Sequence, residues 1–260
     1  MRLLSSEEIE RLYREKVLVN DSDEYLRRYD DFDFPARFEA DVLRRMDFPR
    51  LIAILEFERV VTELGIAPAE VLMLNGGETG DPELALLPKG EVTAIDYETD
   101  PQNGDLHTLS LGGRSFDFVL FSQTIEHLYN PTLALDNVYA VTRPGGWVWT
   151  SVPTVSRLHQ VPFHYWTGAT PGGLACLFAQ AGFEVAHVGH WGNGKYAQHL
   201  FDLGLIPTYY DLDRGSLRAR GYRHVLRAEA RLSPRNFLAD GRRNEFETPV
   251  QSWILARRPA

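Results

Sequence analysis

Short apolar runs that alternate with helical stretches are the feature that most constrains the fold of this chain. Asn130 and Thr170 cap two of the intervening helices, and Pro131 and Pro171 occupy their first positions. Strands that alternate with helices predict a doubly wound, mostly parallel α/β sheet with helices on both faces. The predicted strands are Val71–Leu74, Glu91–Ile95, Phe116–Phe121, Trp147–Pro153, Phe183–Val188 and Val250–Ala256.

The first part of the chain carries helical signals and no strand pattern. Ser5 and Glu8 have the spacing of a capping box, and Gly65 is placed to stop a helix. The acidic, aromatic stretch from Asp21 to Pro35 is expected to be irregular. We therefore predict that residues 1–65 form a helical extension that acts as a lid.

Residues 66–260 are predicted to form the main domain, with residues 192–248 as a helical insertion that serves as a cap or interaction region. This insertion is too long for a plain connector. A stripe of arginines could hold a phosphate or carboxylate group of an anionic or nucleotide-linked ligand, although a solvated helix surface is the alternative. The stripe consists of Arg220, Arg223, Arg227 and Arg231.

Charge and composition exclude several classes of function. The chain has 27 Lys and Arg against 36 Asp and Glu, a formal net charge of −9, which argues against a nucleic-acid partner. Its one cysteine, Cys176, excludes an internal disulfide and a cysteine-cluster zinc site. No apolar run approaches the ~20 residues of a membrane helix, and residues 1–8 lack the apolar segment of a signal peptide. We therefore expect a cytoplasmic protein without a membrane partner.

Polar and glycine residues follow the predicted strands, where a doubly wound sheet binds its ligands. Glycines after the first strand let the backbone approach a ligand closely. Asp96 follows the second strand and can accept hydrogen bonds from ribose hydroxyls, and Asp105 could accept from an adenine amino group. This combination predicts an adenosine-containing ligand. The candidate binding residues are Asn75, Gly76, Gly77, Gly80, Asp96, Tyr97, Asp105, Leu106, His107, Ser122 and Gln123.

Two adenosine ligands compete for this site. A dinucleotide needs a glycine loop that cradles pyrophosphate at a helix N-terminus, and only Gly77-x-x-Gly80 fits part of that pattern. The acidic loop residues Glu78 and Asp81 suit the sulfonium and amine of S-adenosylmethionine better. The comparison favours the methyl donor over a nicotinamide cofactor.

Longer strings resemble the class I S-adenosylmethionine-dependent methyltransferases, in particular a bacterial branch that acts on sugars and other small molecules. The resemblance implies a Rossmann-like, seven-stranded sheet whose last strand is antiparallel. It also implies methyl transfer to a small-molecule acceptor, such as an oxygen on a sugar, a natural product or a cell-surface intermediate. The matching strings are Ser115–Phe121, Ile125–Leu128, Asn130–Pro131, Val141–Trp147, His164–Leu174, Ala181–Val185 and Ser252–Pro259.

The chain departs from the family pattern at the glycine loop. Met73 stands where the family usually has an acid, and the loop Asn75–Gly80 is one residue longer than usual. A catalytically inactive relative that serves as a binding module is therefore the alternative to an enzyme.

Three residues are the catalytic candidates. The resemblance places His127 at the strand end that faces the donor methyl group, where it could act as a base, or could only orient its loop. His164 and Tyr165 would contact the acceptor or supply the base, or form an aromatic lid edge with Trp166. Gln123 stands where some magnesium-binding relatives have a glutamate, so no metal site is expected. The sequence does not decide whether the chain forms a homodimer.

Overall fold

The computed structural model describes residues 2–17, 22–77, 80–192 and 249–260, and the single positions 197, 221 and 224. Within this part, six strands form one sheet in the order β2-β1-β3-β4-β6-β5. β6 runs antiparallel to both of its neighbours, whereas the other pairs are parallel. This arrangement confirms the predicted Rossmann-like class. The strands are β1 (Glu70–Leu74), β2 (Glu91–Ile95), β3 (Phe116–Leu120), β4 (Thr142–Pro153), β5 (Glu184–Trp191) and β6 (Gln251–Arg257).

Among the residues that the structure describes, the strand count is lower than predicted. The described sheet has six strands instead of seven, and β2 forms its edge. The residues between β2 and β3 are rich in Asp, Asn, Gly and Pro, which favour turns over strands. They form the short helix α6 (Pro101–Gly104), capped by the Asp100 carboxylate, which accepts a hydrogen bond from the Asn103 N–H group at 3.3 Å.

Helices cover both faces of the sheet. The predicted capping box of Ser5 and Glu8 is present at the start of the first helix, and Asn130 and Thr170 cap the helices predicted after them. Short 3₁₀ turns span Pro82–Leu86 and Ile125–His127. The remaining helices are α1 (Ser6–Lys16), α2 (Ser22–Asp31), α3 (Phe34–Arg37), α4 (Ala40–Arg45), α5 (Phe48–Glu63), α7 (Pro131–Val141) and α8 (Pro171–Gln180).

The prediction of an irregular stretch from Asp21 to Pro35 is wrong, because most of it is helix α2. Tyr25 and Tyr29 are four residues apart and therefore lie on one helix face. Both are buried, Tyr25 against Trp253 with ring centroids 5.7 Å apart and Tyr29 against Phe48 at 4.8 Å. Aromatic residues that read as loop in the sequence are anchors of a core helix.

The two faces of the sheet have separate cores. One core contains α5 and the aromatic residues of α2 and α3, packed on Phe118, Trp149 and Trp253. The other contains α7 and α8. Residues of the N-terminal extension thus share a core with the sheet.

The predicted insertion 192–248, with its arginine stripe, lies almost wholly outside the described residues, so its role stays a prediction. Among the helices of the described part, none combines the length and apolar character needed to cross a membrane.

Candidate active site

Hydrogen bonds connect the glycine loop after β1 to the residues that follow β2. Asn75 takes a positive φ of 57°, and its Oδ1 accepts a hydrogen bond from the Tyr97 N–H group at 2.9 Å. Its Nδ2 donates to the Gly104 carbonyl at 3.2 Å. The Gly77 N–H group donates to Asp96 Oδ2 at 2.8 Å. The structure therefore brings four of the predicted binding residues together at one edge of the sheet.

Asp96 keeps capacity for a ligand. Its Oδ1 accepts from the Glu98 N–H group at 2.9 Å, and its Oδ2 accepts from Gly77. A carboxylate offers about four lone-pair positions, so about two remain. The side chain is partly exposed, and the ring of Tyr97 next to it is exposed. Asp96 can thus accept further hydrogen bonds from solvent or from hydroxyl groups of a ligand.

Met73 fills the space beneath the glycine loop. Its Sδ accepts a hydrogen bond from the Asp81 N–H group at 3.3 Å. A Cβ atom at Gly76 would lie 2.8 Å from the Asp81 nitrogen and 3.0 Å from Met73 Sδ, so only glycine fits there. Gly80 also has a positive φ, of 70°. The Met73 sulfur thus satisfies a backbone N–H group at the end of the glycine loop.

Three further predicted residues form a local structure of their own. Asp105 Oδ1 accepts hydrogen bonds from the His107 N–H group at 2.9 Å and from His107 Nδ1 at 2.6 Å. His107 Nε2 accepts from the Asn130 N–H group at 3.2 Å, and the His107 ring stacks on Tyr129. Leu106 is buried in the core. These contacts fix the loop after α6, and a contact with adenine stays a prediction.

Ser122 lies in a buried ionic network formed with Arg50, Asp81 and Glu83. Its N–H group donates to Asp81 Oδ2 and its hydroxyl to Glu83 Oε1, both at 3.0 Å. Arg50 Nη2 donates to Asp81 Oδ1 at 2.8 Å and to Glu83 Oε2 at 3.1 Å. Burial raises the pKa of Asp81 to about 6, although Arg50 opposes the rise. The network ties α5 to the segment that follows the glycine loop.

Gln123, the neighbouring candidate, points back to β4. Its φ is 54°, and its Nε2 donates to the Ser151 carbonyl at 3.3 Å. The donor contact predicted for Gln123 and Ser122 stays a prediction.

Three histidines converge beside this edge of the sheet, and we call them the histidine cluster. His127 ends the 3₁₀ turn after β3, whereas His159 and His164 lie in the loop between β4 and α8. The ring centroids are 4.9 Å apart for His127 and His159, 5.5 Å for His127 and His164, and 4.4 Å for His159 and His164. Sequence reasoning predicted two of these residues and missed His159.

Backbone carbonyls fix the tautomers of two cluster members. His127 Nδ1 lies 2.7 Å from the Phe163 carbonyl, and His159 Nδ1 lies 2.8 Å from the Arg157 carbonyl. Because a carbonyl only accepts, each Nδ1 carries the hydrogen when the ring is neutral. The lone pair of each neutral ring is therefore on Nε2.

Ser156 fixes the third ring in the opposite sense. Its hydroxyl donates to the Thr167 carbonyl at 2.9 Å and lies 3.4 Å from His164 Nε2. Because the hydroxyl hydrogen is already used, Ser156 accepts from His164 Nε2. His164 Nδ1 then holds the lone pair. This atom is buried and has no hydrogen-bond partner among the described residues.

Burial favours the neutral form of two cluster members. It lowers the pKa of His127 and of His164, and the charge of a protonated His159 would lower both further. Near pH 7 each of these two rings is therefore expected to be neutral, with one nitrogen able to accept a proton or bind a cation.

Glu126 lies directly behind the cluster and was not among the predicted site residues. It is 1% exposed, and its Oε1 lies 3.9 Å from His127 Nε2. Its Oε2 has no hydrogen-bond partner in the described part of the chain. Burial raises the pKa of Glu126 to about 7. The charge of Arg50 lowers that pKa only in part, and no arginine or lysine of the described residues forms an ion pair with Glu126. A buried acid next to histidines is an arrangement suited to proton or ligand exchange.

An aromatic rim links the histidine cluster to the glycine loop. The ring of Phe163 contacts Tyr97 with centroids 5.9 Å apart, and Tyr129 contacts the predicted residue Tyr165 at 6.0 Å. Backbone N–H groups of Tyr165 and Trp166 both donate to the Glu126 carbonyl. All five rings are at least 40% exposed. They form one apolar surface beside the candidate binding and catalytic residues.

Comparison with known proteins finds a similarity in the central part of this chain. Residues 76–188, from the glycine loop to β5, match the model of a methyltransferase domain family. The methyl donor of that family is S-adenosylmethionine. No curated protein matches the sequence.

Solved structures with a similar fold include two methyltransferases. A S-adenosylmethionine-dependent methyltransferase from Archaeoglobus fulgidus is 16% identical, with a TM-score of 0.46 and coverage of 86% of this chain and 100% of that chain. The 1,6-didemethyltoxoflavin-N1-methyltransferase from Burkholderia thailandensis is 17% identical, with a TM-score of 0.45 and coverage of 100% and 93%. At these values the likeness assigns no substrate to this chain.

Proposed function

We propose that this chain transfers a methyl group from S-adenosylmethionine to a small-molecule acceptor. The atom that receives the methyl group is an oxygen of a sugar, a natural product or a cell-surface intermediate. The observation that carries the proposal is the position of His127. Its ring is held by the Phe163 carbonyl with its lone pair on Nε2, and the Phe163 ring contacts Tyr97 beside the glycine loop. A neutral base therefore lies near the candidate donor site, with Phe163 in contact with both His127 and Tyr97.

The residues at the sheet edge fit the methyl donor. Asp96 retains lone pairs for ribose hydroxyls, and Gly77 leaves open space, since a Cβ there would meet no atom within 4 Å. Carboxylates at Asp96 and Asp105 favour a cationic ligand over pyrophosphate. The donor, when bound, supplies an electrophilic methyl group on sulfur.

The chain contributes position and a proton acceptor. Methyl transfer is a displacement with a neutral leaving group, so orientation of the acceptor supplies most of the acceleration; well-oriented pairs reach effective molarities of about 10⁵ M or more. The exposed aromatic rim can orient a ring-shaped acceptor and exclude water from one side of it. His127 Nε2 would take the proton of an acceptor hydroxyl, a role worth about 10²–10⁴-fold in rate.

The acceptor class is an extension of this proposal. Aromatic faces such as those of Tyr129 and Trp166 bind the apolar face of a sugar ring. An anionic or nucleotide-linked acceptor would use the arginine stripe of residues 220–231, which lies outside the described residues. Binding of nucleotide sugars that is lost in Arg223→Ala/Arg227→Ala would support this extension, and unchanged binding would contradict it.

Calorimetric titration with S-adenosylmethionine and S-adenosylhomocysteine tests the proposal. We expect binding of both, and about a 100-fold loss of affinity in Asp96→Ala, because two hydrogen bonds to a charged group are worth about 3 kcal/mol. Glu98→Ala is the matched control, since it removes a neighbouring exposed carboxylate and should leave affinity unchanged. Mass spectrometry of the purified protein would show any donor-derived ligand that it carries.

One observation favours a second candidate, a binding module without catalysis. Met73 occupies the space below the loop where relatives have an acid, so the methionine end of the donor meets a different surface. Absence of donor binding to the wild-type chain would favour this candidate and contradict the enzyme.

A further inference from the structure

We propose that His127, His159 and His164 bind one divalent transition-metal ion of the zinc type. One ring nitrogen of each histidine lies within 4.8 Å of those of the other two, in the described part of the chain. This proposal concerns binding by the chain itself and does not depend on the methyl donor.

The cluster is wider than a bound site. Three nitrogens that bind one Zn²⁺ at ~2.1 Å in tetrahedral geometry lie about 3.4 Å apart. Separations of up to 4.8 Å must therefore shorten by as much as about 1.4 Å. His159 can supply part of this shift, because it lies in an exposed stretch of the loop between β4 and α8. Three protein ligands leave at least one position open on the ion, as in catalytic zinc sites.

The hydrogen bonds around the cluster are those of metal-binding histidines. In metal sites, the ring nitrogen that does not bind the ion donates its hydrogen to a carbonyl, a carboxylate or water, which fixes the tautomer. Here His127 and His159 each donate to a backbone carbonyl, and His164 donates to a serine hydroxyl. One lone pair is left on each neutral ring, and each of these lone pairs could bind a cation.

Two buried atoms near the cluster lack partners, and both would be compensated by a cation. His164 Nδ1 and Glu126 Oε2 have no hydrogen-bond partner among the described residues. Buried polar atoms in folded proteins are nearly always paired, so these two indicate a group that binds there. Glu126 Oε1, at 3.9 Å from His127 Nε2, places a carboxylate beside the site, where it can bind the ion or a water on it.

The ligand chemistry selects the class of ion. Imidazole suits Zn²⁺, Co²⁺, Ni²⁺ and Cu²⁺, whereas Mg²⁺ and Ca²⁺ prefer oxygen ligands. The sequence-based expectation of no metal considered a cysteine-cluster zinc site and a magnesium site with a glutamate at the position of Gln123. A three-histidine site has different requirements, and His159 was not part of that prediction.

A role for the ion rests on the proposed function. An acceptor hydroxyl at the open position would lose its proton more easily, as zinc-bound water does. The proton would pass to solvent water, because His127 would then be a ligand and would no longer be free to accept it. The oxygen forms the bond to the methyl carbon, and the sulfur–carbon bond breaks with its electron pair left on sulfur.

Titration of chelator-treated, tag-free protein tests the site. We expect one Zn²⁺ or Co²⁺ per chain by calorimetry, with Co²⁺ giving the intense visible absorption of four- or five-coordinate nitrogen sites. Mg²⁺ should neither bind nor displace Co²⁺. The double variant His159→Ala/His164→Ala should lose more than about tenfold in Zn²⁺ affinity, the lower bound for loss of even a supporting residue.

Controls separate this site from other outcomes. His187→Gln changes a partly buried histidine on β5 and should bind Zn²⁺ as the wild-type chain does. Ser156→Ala should weaken binding less than loss of a ligand does. Zn²⁺ binding that is absent, or unchanged in the double variant with its fold intact by circular dichroism, would overturn the proposal. Donor affinity is measured separately, so failure of the proposed function leaves these metal isotherms interpretable.

Discussion

The α5 face and the histidine cluster both bury polar side chains, but they compensate them differently. On the α5 face, Arg50 pairs with Asp81 and Glu83, and Glu56 pairs with Arg28 and Arg59. In the histidine cluster, three imidazole rings lie beside the buried acid Glu126, which forms no ion pair with an arginine or lysine of the described residues. Buried groups with opposite charges next to them hold a fold together, whereas uncompensated groups mark a place for a ligand. Substitutions on the α5 face should therefore cost stability, and those in the cluster should cost binding or activity.

The largest effect is expected for His127→Ala. Loss of a base, or of a ligand to the proposed ion, should lower turnover by about 10²–10⁴-fold. Turnover can be measured as S-adenosylhomocysteine released with a panel of hydroxylated sugars and nucleotide sugars. Donor affinity should not change. An equal loss of donor affinity would mean that His127 shapes the donor site instead.

Arg50→Ala should have the largest effect on stability. It leaves two buried carboxylates without their cation, which costs about 3–5 kcal/mol. Denaturant unfolding measures this loss. The exposed Arg45→Ala on α4 is the control and should stay within about 0.5 kcal/mol. A similar small effect in both variants would contradict the view that the ionic network holds α5.

Glu56→Gln adds a pH dependence to the comparison. Burial would raise the pKa of Glu56, but hydrogen bonds and charges from His187, Arg59 and Arg28 outweigh it and hold that pKa well below its usual range. Its stabilisation is therefore present above the unfolded pKa of about 4.3 and is lost as pH falls toward the folded pKa. The variant should be about 2 kcal/mol less stable at neutral pH.

Unfolding measurements at acidic pH supply the control for the Glu56→Gln experiment. Unfolding free energy of the variant should fall less steeply than that of the wild-type chain below about pH 4. Parallel curves for the two proteins would show that Glu56 does not set the acid sensitivity.

His159→Ala should have the smallest effect on folding. Its side chain is exposed, and we expect the free energy of unfolding of chelator-treated protein to change by no more than about 0.5 kcal/mol. Thermal unfolding with and without Zn²⁺ measures both effects, since bound metal should stabilise only the wild-type chain. A large loss without metal would assign the cluster a structural role and remove the contrast with the α5 face.

The sequence predicted the parts of the fold that depend on local patterns. Apolar runs located all six described strands, and Asn130-Pro131 and Thr170-Pro171 located two helix starts, because caps and burial act over a few residues. The helix containing Tyr25 was missed, since its stability comes from packing on Trp253 in a distant strand. The prediction of a seventh strand came from the family resemblance and not from a local pattern, and the described residues near Asp100 form turns and a short helix.

The candidate site shows the same limit. Residues that follow strands, such as Asp96 and His127, could be predicted because the sheet brings strand ends together. His159 could not, because its contacts depend on a long loop that folds back on the turn after β3. A weak signal was available in the spacing of His159 and His164 in one loop. The role of Glu126 depends on the burial of its side chain. The sequence does not show this burial, because Glu126 lies beside an exposed loop.

The position of β6 has a consequence for how this chain is made. β6 lies between β4 and β5, yet β5 ends at Trp191 and β6 begins only at Gln251. While the ribosome is translating the intervening residues, β4 and β5 have already been synthesised without the strand that pairs with both. Each then presents an open edge that another nascent chain could pair with. Pairing with β6 must therefore occur before another chain pairs with these edges, and slower translation of this stretch lengthens the time available for aggregation.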